Sequence, residues 1–292
     1  MDHHIKLKFR PKWAFSEIGR KRGWKVYCRD GELIISRSWW SQALSTESQF
    51  CQAVVAAGYL TEDQMRHATR RYRLGKSQQG GVIFWQIDHE DRIHDGKVMY
   101  YQTDCHRDKN RHPNWVSSLI CKRNHWKNNH QGSHCLFGLH LLYDEEYELS
   151  DYEGLTIDDW LRTMKAKYAP PKTVEDYLKP IAVVEAEKSA VILSEHFPDY
   201  LWLATGGLGE VQPEKFRPLR GRKVILFPDT DPEGIAYRRW YEAAEVVQQQ
   251  LWWEDCLPIY VSPLLEQRAT PKQKERKIDL VDFLLDKDRI TS

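Results

Sequence analysis

A chain of 292 residues with 41% hydrophobic and 29% charged side chains can bury a sizeable core, which excludes a disordered polymer and a small disulfide-stapled scaffold. The formal net charge of +1 neither demands nor forbids a polyanionic partner, but charge is unevenly spread, with a basic N-terminal third and an acidic stretch from Asp144 to Asp159. No apolar run has the length of a membrane span, and Met1-Asp2-His3-His4 leads into alternating basic residues instead of an apolar leader, so a cytoplasmic protein without a membrane partner is expected.

Residues 1–57 read as a basic N-terminal segment. Lys6, Lys8, Arg10, Lys12, Arg20, Lys21, Arg22 and Lys25 are interleaved with Phe9, Trp13, Phe15, Trp24 and Tyr27. Such a pattern grips single-stranded nucleic acid by charge and stacking, or is a solvated leader. Asp30-Gly31 marks a turn before a short strand from Glu32 to Ser36. Ser45 or Thr46 is expected to cap a helix running through Phe50, Val54 and Val55 to Ala57.

Residues 58–150 read as a mixed α+β subdomain. Thr61 caps a helix with Glu62 and Asp63 in its first turn, and Arg66, Arg70, Arg71 and Arg73 lie along it until Leu74-Gly75 ends it. After Gly80-Gly81, a strand from Val82 to Asp88, a turn at His89-Glu90-Asp91 and a return from Ile93 to Tyr101 make a hairpin. The arginines of the helix, with Lys109 and Arg111 further on, are the candidate nucleic-acid contacts. Cys105, His106, His112, Cys121, His125, His130, His134 and Cys135 follow one another without the paired Cys-x₂-Cys spacing of structural zinc sites, so zinc is not expected. The 6 Cys are expected to be reduced thiols. Residues 151–179 read as a linker, with an amphipathic helix from Ile157 to Tyr168 after a Thr156 cap.

Residues 180–292 alternate strands and helices, the mark of an α/β fold with a parallel sheet and flanking helices. Strands are expected at Ile181 to Val184, Leu201 to Ala204, Val224 to Phe227 and Leu257 to Val261. A long helix is expected from Ile235 to Trp253. Two of these apolar strands end in acid: Glu185-Ala186-Glu187-Lys188 after the first, Pro228-Asp229-Thr230-Asp231 after the third. Ligands sit just past the carboxyl ends of such strands. Like charges gathered there need a cation, and hard oxygen ligands suit Mg²⁺ or Mn²⁺. Glu185, Asp229 and Asp231 are the candidate catalytic acids. The same three with Glu187 are the candidate metal ligands, because side chains two apart on an extended segment share a face. Lys188, Gly206 and Gly207 are candidates to face a phosphate. Asp231 ahead of Pro232 also suits a helix cap, Thr205-Gly206-Gly207 suits a plain tight turn, and Asp279 and Asp282 read as a cap and a surface acid.

Glu at one strand end and Asp-x-Asp at a later one resembles the toprim domain of bacterial primases, topoisomerases and some nucleases. Val183-Val184-Glu185-Ala186-Glu187-Lys188 is similar to the Val-x-Glu-Gly-Glu-Lys pattern of primases from phages and mobile elements, with Ala186 in place of Gly. Upstream, the helix with its Leu-Gly ending, the hairpin, Trp115-Val116-Ser117-Ser118 and Leu136-Phe137-Gly138-Leu139 follow the order of the N-terminal half of a bacterial primase core. There the last two segments read Tyr-Leu-Asn-Ser and Leu-Tyr-Gly-Leu. Lys277 to Leu284 resembles the Lys-Asp-x-Asn-Asp-x-Leu ending of phage-type toprim proteins, with Val281 in place of Asn. The resemblance spans Gly58 to Leu285. It implies metal-dependent joining of ribonucleotides on single-stranded DNA, in replication of a mobile element or phage and with a replicative helicase as a possible partner. The zinc ribbon of such primases is not visible. A toprim nuclease, or a non-catalytic single-strand-binding module of a replication or transfer complex, remains open on the same residues.

Overall fold

The computed structural model describes residues 26–29, 32–35, 44–90, 92–123, 134–142, 179–251 and 258–285. The basic residues up to Lys25, the loop carrying His125 and His130, and the helix expected from Ile157 to Tyr168 lie outside the described residues. Among the described residues no helix is long and apolar enough to cross a membrane.

The first half is built on an antiparallel sheet. Its strands are β1 (Val26–Arg29), β2 (Glu32–Ile35), β3 (Gly75–Lys76), β4 (Val82–Ile87), β5 (Ile93–Met99) and β6 (Asn114–Trp115), in the order β1-β2-β5-β4-β3 with β6 also paired to β5. Residues 26–29, assigned from sequence to the basic arm, therefore form half of a hairpin with the expected strand after Asp30-Gly31. All six residues of β4 are buried because both faces of the β4–β5 hairpin are covered. Val82, Phe84 and Met99 point into the main core, while Ile83, Trp85, Ile87 and Val98 join Tyr100, Val116 and Ile120 in a second cluster. The strand alternation of side chains thus divides two cores with one hairpin.

Helices α1 (Gln49–Ala56) and α2 (Glu62–Arg71) precede the hairpin, and α3 (Val116–Arg123) follows it. The cap of α1 is Ser48, not Ser45 or Thr46: its Oγ accepts from the Cys51 N–H at 3.3 Å, directly ahead of the buried stripe Phe50, Cys51, Ala53 and Val54. Thr61 caps α2 as expected, in a reciprocal box with Gln64. Beyond the end of the helix, Arg73 takes the left-handed conformation (φ 53°), with Leu74 N–H bonded to Thr69 O and Arg73 N–H to Arg70 O. Gly75 is needed for packing instead: a Cβ there would lie 2.9 Å from Trp85 Nε1.

The second half is a parallel sheet of β7 (Ile181–Val184), β8 (Leu201–Ala204), β9 (Val224–Phe227) and β10 (Tyr260–Val261), ordered β10-β9-β7-β8. Helix α4 (Glu187–His196) joins β7 to β8. Helix α5 (Pro213–Phe216) and a 3₁₀ turn join β8 to β9, and α6 (Ile235–Leu251) leads from β9 towards β10. Short helices α7 (Leu264–Arg268), α8 (Pro271–Glu275) and α9 (Leu280–Leu285) follow.

One buried cluster runs through both halves, from Phe50, Tyr72 and Phe84 to Val183, Leu203 and Leu226. Tyr72 stacks on Phe137 with centroids 5.2 Å apart, and its buried hydroxyl donates to Trp202 O at 2.8 Å. Phe137 exchanges two backbone hydrogen bonds with Ala204 of β8, at 2.9 and 3.1 Å.

Candidate active site

From β7 the chain runs to β8 on one side and returns to β9 on the other, so the strand order reverses between β7 and β9. The crevice past the strand ends at such a switch point is where open α/β sheets bind ligands. Val184 pairs with Phe227, which brings the two strand ends level. Glu185 follows the first strand and Asp229 the second, on neighbours about 4.8 Å apart.

Both carboxylates are half-buried, and neither accepts a hydrogen bond from a described residue. Burial lifts the Asp229 carboxyl well above the ordinary aspartate range, and the charges of Asp279 and Glu185 push it further. Burial also raises Glu185; the Lys97 ammonium opposes this, and Glu187 and Asp279 reinforce it. Two oxygen donors without partners, under mutual repulsion, fit Mg²⁺ or Mn²⁺. Among the described residues no three His, Cys, Asp or Glu side chains converge to hold an ion by themselves. An ion here would therefore complete its shell with substrate and water oxygens, the usual habit of Mg²⁺ bound through one or two carboxylates.

Glu187, the first residue of α4, is buried and already paired. Lys97 of β5 reaches it from the antiparallel sheet, its Nζ donating to Glu187 Oε1 at 2.9 Å and to Gly206 O at 3.0 Å. Gly206 has φ 83°, and a Cβ there would stand 3.1 Å from Glu187 Oε1, so the turn admits only glycine comfortably. Its N–H donates to Glu185 O, and the Gly207 N–H to Thr205 Oγ1. These amides, expected to face a phosphate, are engaged within the turn beside the rim. Ala186, where the resembling primases have Gly, sits at φ −94° and ψ 138°, which any residue adopts.

Lys188 is paired with acid. Its Nζ lies 3.4 Å from Asp279 Oδ2, and although burial works against its charge, Asp279 and Asp282 hold its pKa above the ordinary lysine value. Asp279 also accepts from Ser189 Oγ at 2.7 Å and from the Asp282 N–H at 2.8 Å, so it caps α9 and joins the rim at once. Asp282 is raised by burial and by Asp279. These two acids, read from sequence as a cap and a surface acid, stand among the charges acting on Asp229.

Asp231 is engaged elsewhere. Its Oδ1 accepts from Glu233 N–H at 3.1 Å and Ile235 N–H at 3.0 Å, and its Oδ2 from Ala236 N–H at 2.7 Å. Burial would raise its pKa, but these backbone donors outweigh that and hold it below the usual value. Of the two expectations for Asp231, a metal-binding and catalytic acid beside Asp229 or a helix cap, the structure shows the cap. Strand β9 ends at Phe227, so the two-residue rule of an extended strand does not carry through to Asp231, which caps α6.

The basic candidates lie apart from this rim. Arg66 pairs with Glu62 and Asp63 on its own helix. Arg66, Arg70, Arg71 and Arg73 are not among the charges acting on Glu185 or Asp229, whose cations are Lys97 and Lys188. Arg111 lies 3.3 Å above the Tyr100 ring and donates to Gln79 Oε1, and Lys109 is exposed beside it. Of the Cys/His series, Cys105, Cys121 and Cys135 are buried thiols, and burial pushes Cys105 up to about 12.

Lys97 was not a sequence candidate. The available signal was a lysine at a core-facing position, in register with Phe84 and two before Met99, on a face that also carries the buried Gln86 and Asp95.

The family described as a domain of unknown function (DUF6371) matches residues 48–150 and 172–230, more than half of the chain, and the chain belongs to that family. The matched residues include Lys97, Glu185, Glu187, Gly206 and Asp229, and stop one residue before Asp231. No curated protein matches the chain.

Proposed function

For this chain of the DUF6371 family, we propose a toprim-type, divalent-metal-dependent nucleotidyltransferase that joins ribonucleotides on single-stranded DNA, a primase-like activity in replication of a mobile element or phage. The observation that carries the reading is the pair Glu185 and Asp229, on neighbouring strand ends at the switch point and without hydrogen-bond donors among the described residues. Mg²⁺ or Mn²⁺, when bound, supplies the positive charge that phosphoryl transfer requires. Asp229 and Glu185 would hold it, and its charge would relieve their mutual repulsion. Glu185, raised by burial, is also suited to take the proton of an attacking hydroxyl. Lys97 keeps Glu187 and the Gly206 turn in place, which fixes the wall beside Glu185.

The test is primer synthesis on single-stranded DNA with four ribonucleotides and Mn²⁺ or Mg²⁺, run beside Asp229→Ala. Product is expected from the parent and none from the variant. Equal product from both removes Asp229 from the mechanism, and metal-dependent degradation of labelled strands without nucleotides favours the nuclease reading.

A further inference from the structure

The hairpin that carries Lys97 to the acidic rim turns its other face to a separate cavity of about 660 Å³. That volume is within the range of small-molecule and cofactor sites, roughly 300–1,000 Å³. Ile83, Trp85 and Val98 form its floor with Tyr100, and Leu119 and Ile120 of α3 form a wall. Most of these are buried, but Leu119 is 41% exposed, an apolar side chain left open at the mouth. Charge at the mouth has one sign. Lys76 stands on β3, Lys122 and Arg123 stand on the last turn of α3, and among the described residues no Asp or Glu lines the cavity. Lys76 pairs with Glu47 at 3.1 Å, whereas Lys122 and Arg123 are exposed and make no ion pair among the described residues. Between the cations sit the amides of Gln78, Gln79 and Asn114, able to meet both donors and acceptors. Gln79 Oε1 accepts from both Tyr100 and Arg111, and Arg111 lies over the Tyr100 ring, so this edge is held rigidly.

We propose that this cavity binds a segment of single-stranded nucleic acid, with a base against the apolar floor and phosphates at the cations. The placement of the cations favours a strand over a free nucleotide. β3 flanks the hairpin beside β4, and β6 with α3 flanks it beside β5, so Lys76 and the Lys122/Arg123 pair stand on opposite sides of the floor. A backbone crossing between them meets charge on both sides, while one nucleotide meets it on one. Amides can bond base edges, and apolar and aromatic surface accepts any base.

The site is on the opposite face of the hairpin from Glu185 and Asp229 and needs no metal. The test therefore uses the full chain in EDTA, following the anisotropy of a labelled oligodeoxynucleotide of about 12 residues. Lys122→Glu with Arg123→Glu is expected to weaken binding at least about tenfold and to flatten the slope of log affinity against log salt by about 1.4, two phosphate contacts at about 0.7 each. Leu119→Trp, which fills the cavity without altering charge, is expected to weaken binding several-fold with the slope unchanged. Should the charge reversal unfold the chain, Lys122→Gln with Arg123→Gln replaces it, with a smaller loss of the same sign. Parent-like affinity in both the charge and the cavity variants overturns the proposal. Displacement of the strand by ATP at equal molar concentration overturns it in favour of a nucleotide site, and displacement by polyglutamate of matched charge overturns the role of the base. Because no metal is present, either result leaves the activity proposed for the acidic rim to its own assay.

Discussion

The rim of the parallel sheet and the N-terminus of α6 each hold one acid of Asp229-Thr230-Asp231, and they treat it in opposite ways. At the helix, three backbone N–H groups meet Asp231, and its charge is stabilised. At the rim, Asp229 has no donor among the described residues, is half-buried, and faces Asp279 and Glu185. A carboxylate in the first setting strengthens the fold. One in the second weakens it until a cation arrives, so its presence needs a reason outside folding.

The sharpest way to break this contrast is to remove each acid in turn. Glu185→Gln or Asp229→Asn is expected to lower primer synthesis by about 10²–10⁴-fold, the range for losing an acid–base group, while chemical denaturation shows stability equal to or above the parent. A loss of stability in Asp229→Asn with activity retained would place it with the structural acids. Lys97→Met leaves Glu187 buried without its cation and is expected to cost about 3 kcal/mol in urea unfolding, most of it restored by adding Glu187→Gln. Asp231→Ala is expected to cost about 1–2 kcal/mol, with the activity of the folded fraction largely kept. Complete inactivity of a folded Asp231→Ala protein would return that residue to the rim.

The smallest effect is in pH dependence, read in metal-free protein. Asp229, raised in the folded state, lowers stability as pH climbs from the ordinary aspartate value towards its folded value. Asp229→Asn should therefore exceed the parent near neutrality and converge with it in acid. Asp231, lowered in the folded state, contributes stability above the ordinary value and loses it as pH falls through its folded value. Asp231→Asn should be the weaker protein near neutrality and converge with the parent in acid. Denaturation midpoints across pH 3 to 7, about the span over which ordinary carboxylates and their raised counterparts titrate, check both signs.

What could be read from sequence was local. Ile181 to Val184, Leu201 to Ala204 and Val224 to Phe227 stand as the strands their apolar runs promised, and Thr61 caps its helix because Gln64 lies three residues on. The acids at the ends of β7 and β9 followed from the same runs. Hidden features depended on where the chain folds back. Lys97 meets Glu187 across 90 positions, and Asp279 meets Lys188 across a similar gap, so no spacing announces either. The fate of Asp231 turned on where β9 stops: a strand continued past Phe227 would have kept it beside Asp229, whereas the backbone donors at the start of α6 engage it. Arg73 took the left-handed position that Gly75 invited, because Gly75 was needed against Trp85.

The pairing of Phe137 with Ala204 has a consequence for how the two halves depend on each other. β8 is an outer strand of the parallel sheet, with hydrogen-bonding groups that would otherwise invite another chain to add a strand. A segment of the first half seals that seam, and Tyr72 pins it from above. A fragment starting at residue 180 would expose the seam together with the apolar surface around Trp202, and would be expected to self-associate instead of standing alone. The parallel half is thus not a portable module: its solubility is supplied by the part of the chain that precedes it.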